Sequence, residues 1–355
     1  MAMEMTPRER VLTAIDCRQP DRVPRALGFG PVELMGLDEE ETAERFGLET
    51  RFVTFAPARR EKELKAYLKS LPTDVDVGNL IQLRAYDEWG YHPGVREFNP
   101  LATAETIRDV ARHDFPRFDI SHRHRGLADR VRRLHERGLA VGGIVPHLGG
   151  LLFEAAWRLR GFEAFMADLI FRPDLAHYLI DVLAAICARN AVILAQADVD
   201  LLMLDDDVAS PTGMLLSRSA WREFVFPGLT AVIAAARAAK PALRVFYHSD
   251  GNFEEIIPDL IEAGVNVLNP IQPDHMDPAR VKRLYGDRVA IWGAIGTQAL
   301  MPHGRPEDVR QEVKHRIETL AAGGGYIACP AYDIDYAVPP ENLLAFLEAV
   351  EQYGR

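Results

Sequence analysis

Short apolar runs rich in β-branched residues recur along this chain at 22–29, 74–80, 140–145, 200–204, 243–248, 265–271, 289–295 and 326–329. Most are continuous and not alternating, the pattern of strands covered on both faces in a parallel sheet sheathed by helices. Helical stripes lie between them. Val309, Val313, Ile317 and Leu320 recur at spacings of four, four and three, and the glycines at 323–325 stop that helix. Ile256, Ile257, Leu260 and Ile261 form a second stripe that ends at Gly264, with Pro258 tolerated in its first turn. Thr6, Pro7 and Glu9 make a capping box, so the chain opens on a helix.

Eight strand–helix units predict a (β/α)8 TIM barrel, read as one domain over 1–355 because no Pro/Gly/Ser-rich linker divides the chain. An open doubly wound sheet is the alternative. The stretch 30–135 holds more chain than one unit requires, and 83–97, with Tyr86 and Trp89, is expected to form an inserted hairpin or lid over one barrel end. Lys and Arg number 41 against 52 Asp and Glu, a formal net charge of −11, which disfavours a nucleic-acid partner. No uninterrupted apolar run is long enough to predict a membrane span, and the N-terminus does not read as a secretory signal. Three scattered cysteines exclude a disulfide framework and suit a reducing cytoplasm. Gly142, Gly143, Gly149 and Gly150 lack the spacing of a phosphate loop and are read as close backbone packing.

Barrel enzymes build their sites at the C-terminal ends of the strands. Asn79, His147, Asp205, Tyr247, Gln298 and, from the lid, Trp89 are therefore expected to contact substrate. Tyr247-His248-Ser249-Asp250 is the sharpest cluster. Residues two apart on an extended segment face the same way, so His248 and Asp250 are predicted to hold one Zn²⁺, with Cys329 or Tyr332 as third ligand. A purely structural pair in which Asp250 orients His248 is the alternative. Asp205, Asp206 and Asp207 repel one another, so at least one must be raised in pKa, paired or turned to solvent. Asp206 is expected to line the pocket, with helix capping as the alternative. Glu154 follows the third strand and is read as capping or salt-bridging within its own helix, with reach into the pocket as the alternative, and His113, His122 and His124 with Arg123 and Arg125 as a solvated loop.

The segments R-E-R-V-L-T-A-I at 8–15, D-R-V-P at 21–24, Y-H-S-D-G-N at 247–252 and V-L-N-P-I-Q at 267–272 resemble uroporphyrinogen decarboxylase-like proteins. I-W-G-A-I-G-T-Q at 291–298, G-G-G-Y-I at 323–327 and P-P-E-N at 339–342 continue the resemblance over nearly the whole chain. It implies a (β/α)8 barrel, as a homodimer or a monomer, and one of two chemistries: cofactor-free porphyrinogen decarboxylation, or zinc-assisted methyl transfer with a corrinoid protein. The decarboxylase branch uses several arginines near its first strand, where P-R-A-L-G-F-G-P offers only Arg25, and its catalytic Asp matches Asn79. The zinc motif of the methyltransferase branch, His-x-Cys and a later Cys, falls on His248, Asp250 and Tyr332, with Cys329 nearby.

The resemblance therefore implies a methyltransferase working between a small O- or N-methyl compound and cobalamin. Because no D-x-H-x-x-G corrinoid signature occurs in the chain, the cobalamin is expected on a separate partner protein. His248 is then a ligand, and Asp206 and Tyr332 position substrate or move a proton. A decarboxylase, or a protein that binds a tetrapyrrole, corrinoid or small ligand without turnover, are the alternatives.

Overall fold

The computed structural model of the protein describes residues 4–56, 99–332, 334 and 338–355. Its strands are β1 (Thr50–Val53), β2 (Ala140–Ile144), β3 (Leu201–Asp205), β4 (Ala209–Ser210), β5 (Gly213–Met214), β6 (Arg244–His248), β7 (Val267–Asn269), β8 (Ala290–Ile295) and β9 (Tyr326–Pro330). Seven of them form one sheet in the order β1-β2-β3-β6-β7-β8-β9, with every neighbouring pair parallel. β4 and β5 are a short antiparallel pair in the loop after β3.

Six of the expected runs are strands of this sheet. The run at 22–29 contributes one parallel bridge, Arg25 to Ala328, closed by Ala26 N–H to the Ala328 carbonyl and Ala328 N–H to the Pro24 carbonyl, each at 2.9 Å. It takes the place beyond β9. The run at 74–80 and the lid at 83–97 lie outside the described residues. β1 was not among the expected strands: it is four residues long, and its Arg51 breaks the apolar pattern that marks the others. That guanidinium is buried yet satisfied, by Glu40 at 3.1 Å and the Leu48 carbonyl at 2.8 Å.

A doubly wound sheet would keep its two edges apart, whereas here they share one core. Ala26 from the segment beside β9 and Phe52 from β1 join Ala140, Met203, Phe246, Val267, Trp292 and Cys329 in a single buried cluster. This is the filled lumen of a TIM barrel. Gly142 is required there, because a Cβ on it would come within 2.9 Å of the Phe52 ring and 3.2 Å of the Met203 sulfur. The helix Pro7–Ile15, with the Thr6–Glu9 capping box in place, sends Val11, Ala14 and Ile15 into the same cluster and closes the N-terminal end of the barrel. Arg10 on its other face is buried among Asp21 and Glu49, tying the helix to the segments that lead into the barrel wall.

The second core lies between sheet and helices. Helix Pro173–Gln196 is apolar and long enough to pass for a membrane span, with a mean hydropathy of 1.8 over 18 residues. More than half of that window is buried, and the helix packs against helix Phe226–Ala239 and β3. Its composition is that of a core helix.

Candidate active site

Two neighbouring strands set the site. Asp205 at the end of β3 is paired in register with His248 at the end of β6. Side chains alternate along a strand, so the lumen positions of β3 are Leu201, Met203 and Asp205, and those of β6 are Phe246 and His248. Continuing that parity past the end of β3 brings Asp207 to the same side. The donor atoms of Asp205, Asp207 and His248 all lie within 4.8 Å of one another.

His248 is the best-fixed member. It is 3% exposed and stacks on Phe29, ring centroids 3.9 Å apart and planes at 22°. Its Nδ1 lies 2.7 Å from Oδ1 of Asn269, whose amide nitrogen donates to the Trp292 carbonyl at 2.8 Å. The Trp292 bond identifies which end of the amide is oxygen, so Nδ1 carries the proton and donates. The lone pair then sits on Nε2, 3.9 Å from Oδ1 of Asp207. Burial alone would pull this imidazole down, but Asp205, Asp207 and Asp250 together with the Asn269 bond outweigh it and hold the pKa above its ordinary value.

Asp206 and Tyr247 were expected in the pocket, and the structure places both on the other face of the sheet. Asp206 is 1% exposed and accepts three backbone N–H bonds, from Leu152 and Glu154 to Oδ1 at 3.1 and 2.9 Å and from Phe153 to Oδ2 at 3.0 Å. It caps helix Phe153–Arg160 from a distant strand, which makes the capping alternative the observed one. Burial still raises its pKa to about 7, because the three donors offset only part of the desolvation. Tyr247 is buried in the outer core with its hydroxyl donating to the Asp206 carbonyl at 3.3 Å.

The helix held by Asp206 carries a residue for which a role within its helix was the preferred reading and reach into the pocket the alternative. Glu154 is nine-tenths buried, with Oε1 accepting from Nε and Nη2 of Arg158 at 2.9 and 2.7 Å. Burial and the charges of Asp207 and Asp205 raise its pKa to about 8, against the opposing pull of Arg158. Its backbone approach depends on Gly150, where a Cβ would fall 2.3 Å from that of Glu154. The available signal was an acidic residue in the first turn after a strand end, which sequence alone cannot separate from ordinary capping.

His147 accepts the Gly150 N–H on Nδ1 at 2.8 Å, so Nε2 carries its proton and points to Asp205 at 3.8 Å. Burial lowers its pKa and Asp205 offsets part of that effect. Asp250 is close enough for its charge to act on His248 but is not in the converging group among the described residues, and the chain turns directly after it at Gly251, φ +80°. Its carboxylate accepts from Gln272 at 3.0 Å, while its own N–H donates to Asp207 Oδ1 at 2.7 Å. Cys329 lies deeper in the lumen, its thiol against the Gly28 carbonyl at 3.6 Å. Neither belongs to the converging group. Tyr332 is 47% exposed on the loop after β9, and Gln298 is exposed beside His275 at 3.5 Å. Asn79 and Trp89 lie outside the described residues. Arg123, expected in a solvated loop, is buried, with its Nε donating to the Ala56 carbonyl at 3.0 Å and its guanidinium over Phe118.

The family model described as uroporphyrinogen decarboxylase (URO-D) matches residues 98–353, the stretch that supplies every strand of the sheet but β1. The chain belongs to the URO-D family. Its relatives carry both chemistries of that family. A methylcobamide:CoM methyltransferase, MtaA, of Methanosarcina barkeri is 27% identical over 241 residues, which cover 66% of each chain. A uroporphyrinogen decarboxylase of Aromatoleum aromaticum is 26% identical over 278 residues, 74% of this chain and 72% of the relative. The solved structure of a methyltransferase from Methanosarcina mazei superposes with a TM-score of 0.66 at 20% identity over 99% of both chains, which supports the barrel fold of this URO-D protein.

Two outcomes follow from this geometry. Asp206→Asn leaves one acceptor oxygen and sets an NH₂ group against buried N–H donors, and should cost about 1–3 kcal/mol of unfolding free energy, seen as a lower urea midpoint. An unchanged midpoint would remove the clamp. Glu154 binds its proton more tightly folded than unfolded, so its contribution is full below its ordinary value of 4.5 and is lost as pH rises through about 8. In buffer containing a chelator, the melting temperature of Glu154→Gln relative to wild type should therefore rise between pH 5 and pH 9. A flat difference would contradict the buried, charge-crowded position of this group.

Proposed function

We propose that this URO-D protein is a corrinoid-protein-dependent methyltransferase acting between a small O- or N-methyl compound and a cobalamin carried on a separate partner protein. The observation that carries the reading is the sign of the charge at the strand ends among the described residues. Asp205 and Asp207 converge there with His248, their charges act on Glu154, and a substrate bearing several carboxylates would be repelled where a porphyrinogen decarboxylase must attract one. Arg25, the one arginine of P-R-A-L-G-F-G-P, turns to the Gly47 carbonyl at 3.4 Å and to Glu351 at 3.6 Å. Among the described residues no guanidinium from that segment reaches the strand ends. The resemblance to methyltransferases over two thirds of the chain supports the same choice.

The thiolate-rich zinc set of the methyltransferase branch does not fit the residues present. Asp250 is held by Gln272, Tyr332 is half exposed and Cys329 is packed in the lumen, so no step is routed through such a centre. What the chain's own groups do can be stated. The heteroatom of the methyl compound would be met by His248, between Asp205 and Asp207, at the barrel end where a corrinoid protein would deliver its cofactor. When bound, the corrinoid supplies the cobalt that accepts or donates the methyl group. As the carbon–heteroatom bond breaks, its electron pair stays on the heteroatom, and the imidazolium form of His248, with a second proton taken up at Nε2 and favoured by the neighbouring carboxylates, would donate to it. The stack on Phe29 and the bond to Asn269 keep Nε2 aimed at that point. A cytoplasmic location suits such an enzyme.

The test is incubation with methoxy and methylamine compounds, with and without a corrinoid protein, following the cobalamin spectrum. Methylation should occur only with the corrinoid protein and fall about a hundredfold or more in His248→Ala. Release of CO₂ from a porphyrinogen without any corrinoid protein would overturn the reading in favour of the decarboxylase. Turnover of neither substrate would leave a ligand-binding protein.

A further inference from the structure

A helix that is apolar on every side belongs in an interior, and helix Phe162–Phe171 lies on the outside of this chain. Its sequence, F-E-A-F-M-A-D-L-I-F, has two charged residues, and only Phe165 and Asp168 are buried. Those two form the stripe that faces the core. Phe162, Met166 and Ile170, at spacings of four, form a second stripe that the fold leaves largely open. Phe162 is 42% exposed, Ile170 73%, and Phe171 at the helix end 78%. So much large apolar surface on one short helix marks a contact face.

The charges at its two ends say what covers it. Asp168 is shared by Arg160 and Arg172, each at 2.7 Å, so one carboxylate meets two guanidinium groups and the C-terminal end keeps a surplus positive charge. Arg172 is 38% exposed. In the first turn Glu163 is exposed, and among the described residues it forms no ion pair. A face with an acid at one end and a base at the other is complementary to itself when turned end for end. We propose that this face joins two copies of the chain into a two-fold dimer, with helix Phe162–Phe171 antiparallel to its counterpart.

Met166 lies midway between Phe162 and Ile170, which are about 12 Å apart along the axis. A two-fold axis at Met166 sets Phe162 of one copy against Ile170 of the other and brings Glu163 toward Arg172 at both ends. A partner of a single charge sign would match one end and be repelled by the other, and an anionic lipid surface would repel Glu163. The stripe is also braced from behind. Trp157 packs edge-on against Phe162 with ring centroids 5.8 Å apart, and Arg158, which pairs with Glu154, lies over the same indole at 4.9 Å. The family resemblance, which leaves the chain a monomer or a homodimer, names no face. This assignment comes from the helix itself and does not depend on methyl transfer.

The test is sedimentation equilibrium of the full chain. Wild type should be a dimer at about 10 µM, and Ile170→Glu should weaken it roughly tenfold or more. Glu163→Arg and Arg172→Glu should each weaken it, while an equimolar mixture of the two should form a heterodimer, because opposite charges then meet at both ends. Met166→Cys in a Cys17→Ser chain should be joined to its copy by a short bismaleimide, and adding Ile170→Glu should abolish that product. Circular dichroism identifies any variant that fails to fold, and the cross-link at Met166→Cys then decides. A monomeric wild type, a dimer indifferent to Ile170→Glu, no heterodimer from the mixed variants, or a dimer that Met166→Cys does not cross-link would each overturn the proposal. A monomer that binds anionic vesicles through Ile170 would give the face to a membrane instead. None of these readouts involves turnover, so failure here is distinct from failure of the methyltransferase reading.

Discussion

Alternation along two adjacent parallel strands decides what this barrel presents. β3 and β6 are in register with Asp205 beside His248, and a period of two sends consecutive residues to opposite faces. Asp205 and His248 therefore meet at the mouth of the lumen, while Asp206 and Tyr247 meet each other on the helical side, where the tyrosine hydroxyl donates to the Asp206 carbonyl. A slip of one residue in either strand would exchange the two pairs. The lumen below leaves no room for such a slip, because Phe246, Met203 and Trp292 already fill it against Gly142.

The wall-facing pair nonetheless shapes the site. Asp206 binds the first N–H groups of helix Phe153–Arg160, and this fixed start sets Glu154 among the charges of Asp205 and Asp207. A carboxylate buried on the helical side thus determines where a carboxyl near the strand ends stands. His248 is held in a comparable way, by Phe29 on its face and Asn269 on its edge. The buried histidine is held on its protein side, while Asp205 and Asp207 are partly exposed.

Periodicity made the fold legible: continuous apolar runs mark strands covered on both faces, and six of the eight runs lie in the sheet. β1 escaped because the signal is hydrophobic and Arg51 is satisfied by a tertiary partner that no local pattern reveals. In the site, the strand ends were legible as places but the direction of each side chain was not. His248 and Asp205 needed only their position. Asp206 and Tyr247 needed the parity of the strand, which depends on knowing where pairing begins. Asp250 was legible as a neighbour of His248, but the bond from Gln272 to its Oδ1 comes from a strand end that no local pattern connects to it. Glu154 depended on the Asp206 clamp, a contact between residues 52 positions apart.

The sorting of the three aspartates is the claim on which the site rests. It is tested most directly by thiol labelling of Asp205→Cys, Asp206→Cys and Asp207→Cys, each built in a Cys17→Ser chain with native circular dichroism. The first and third variants should react readily with a small maleimide, and the second should stay unreactive until denaturant is added. Comparable labelling of the folded Asp206→Cys variant, or protection of the Asp205→Cys variant, would contradict the account.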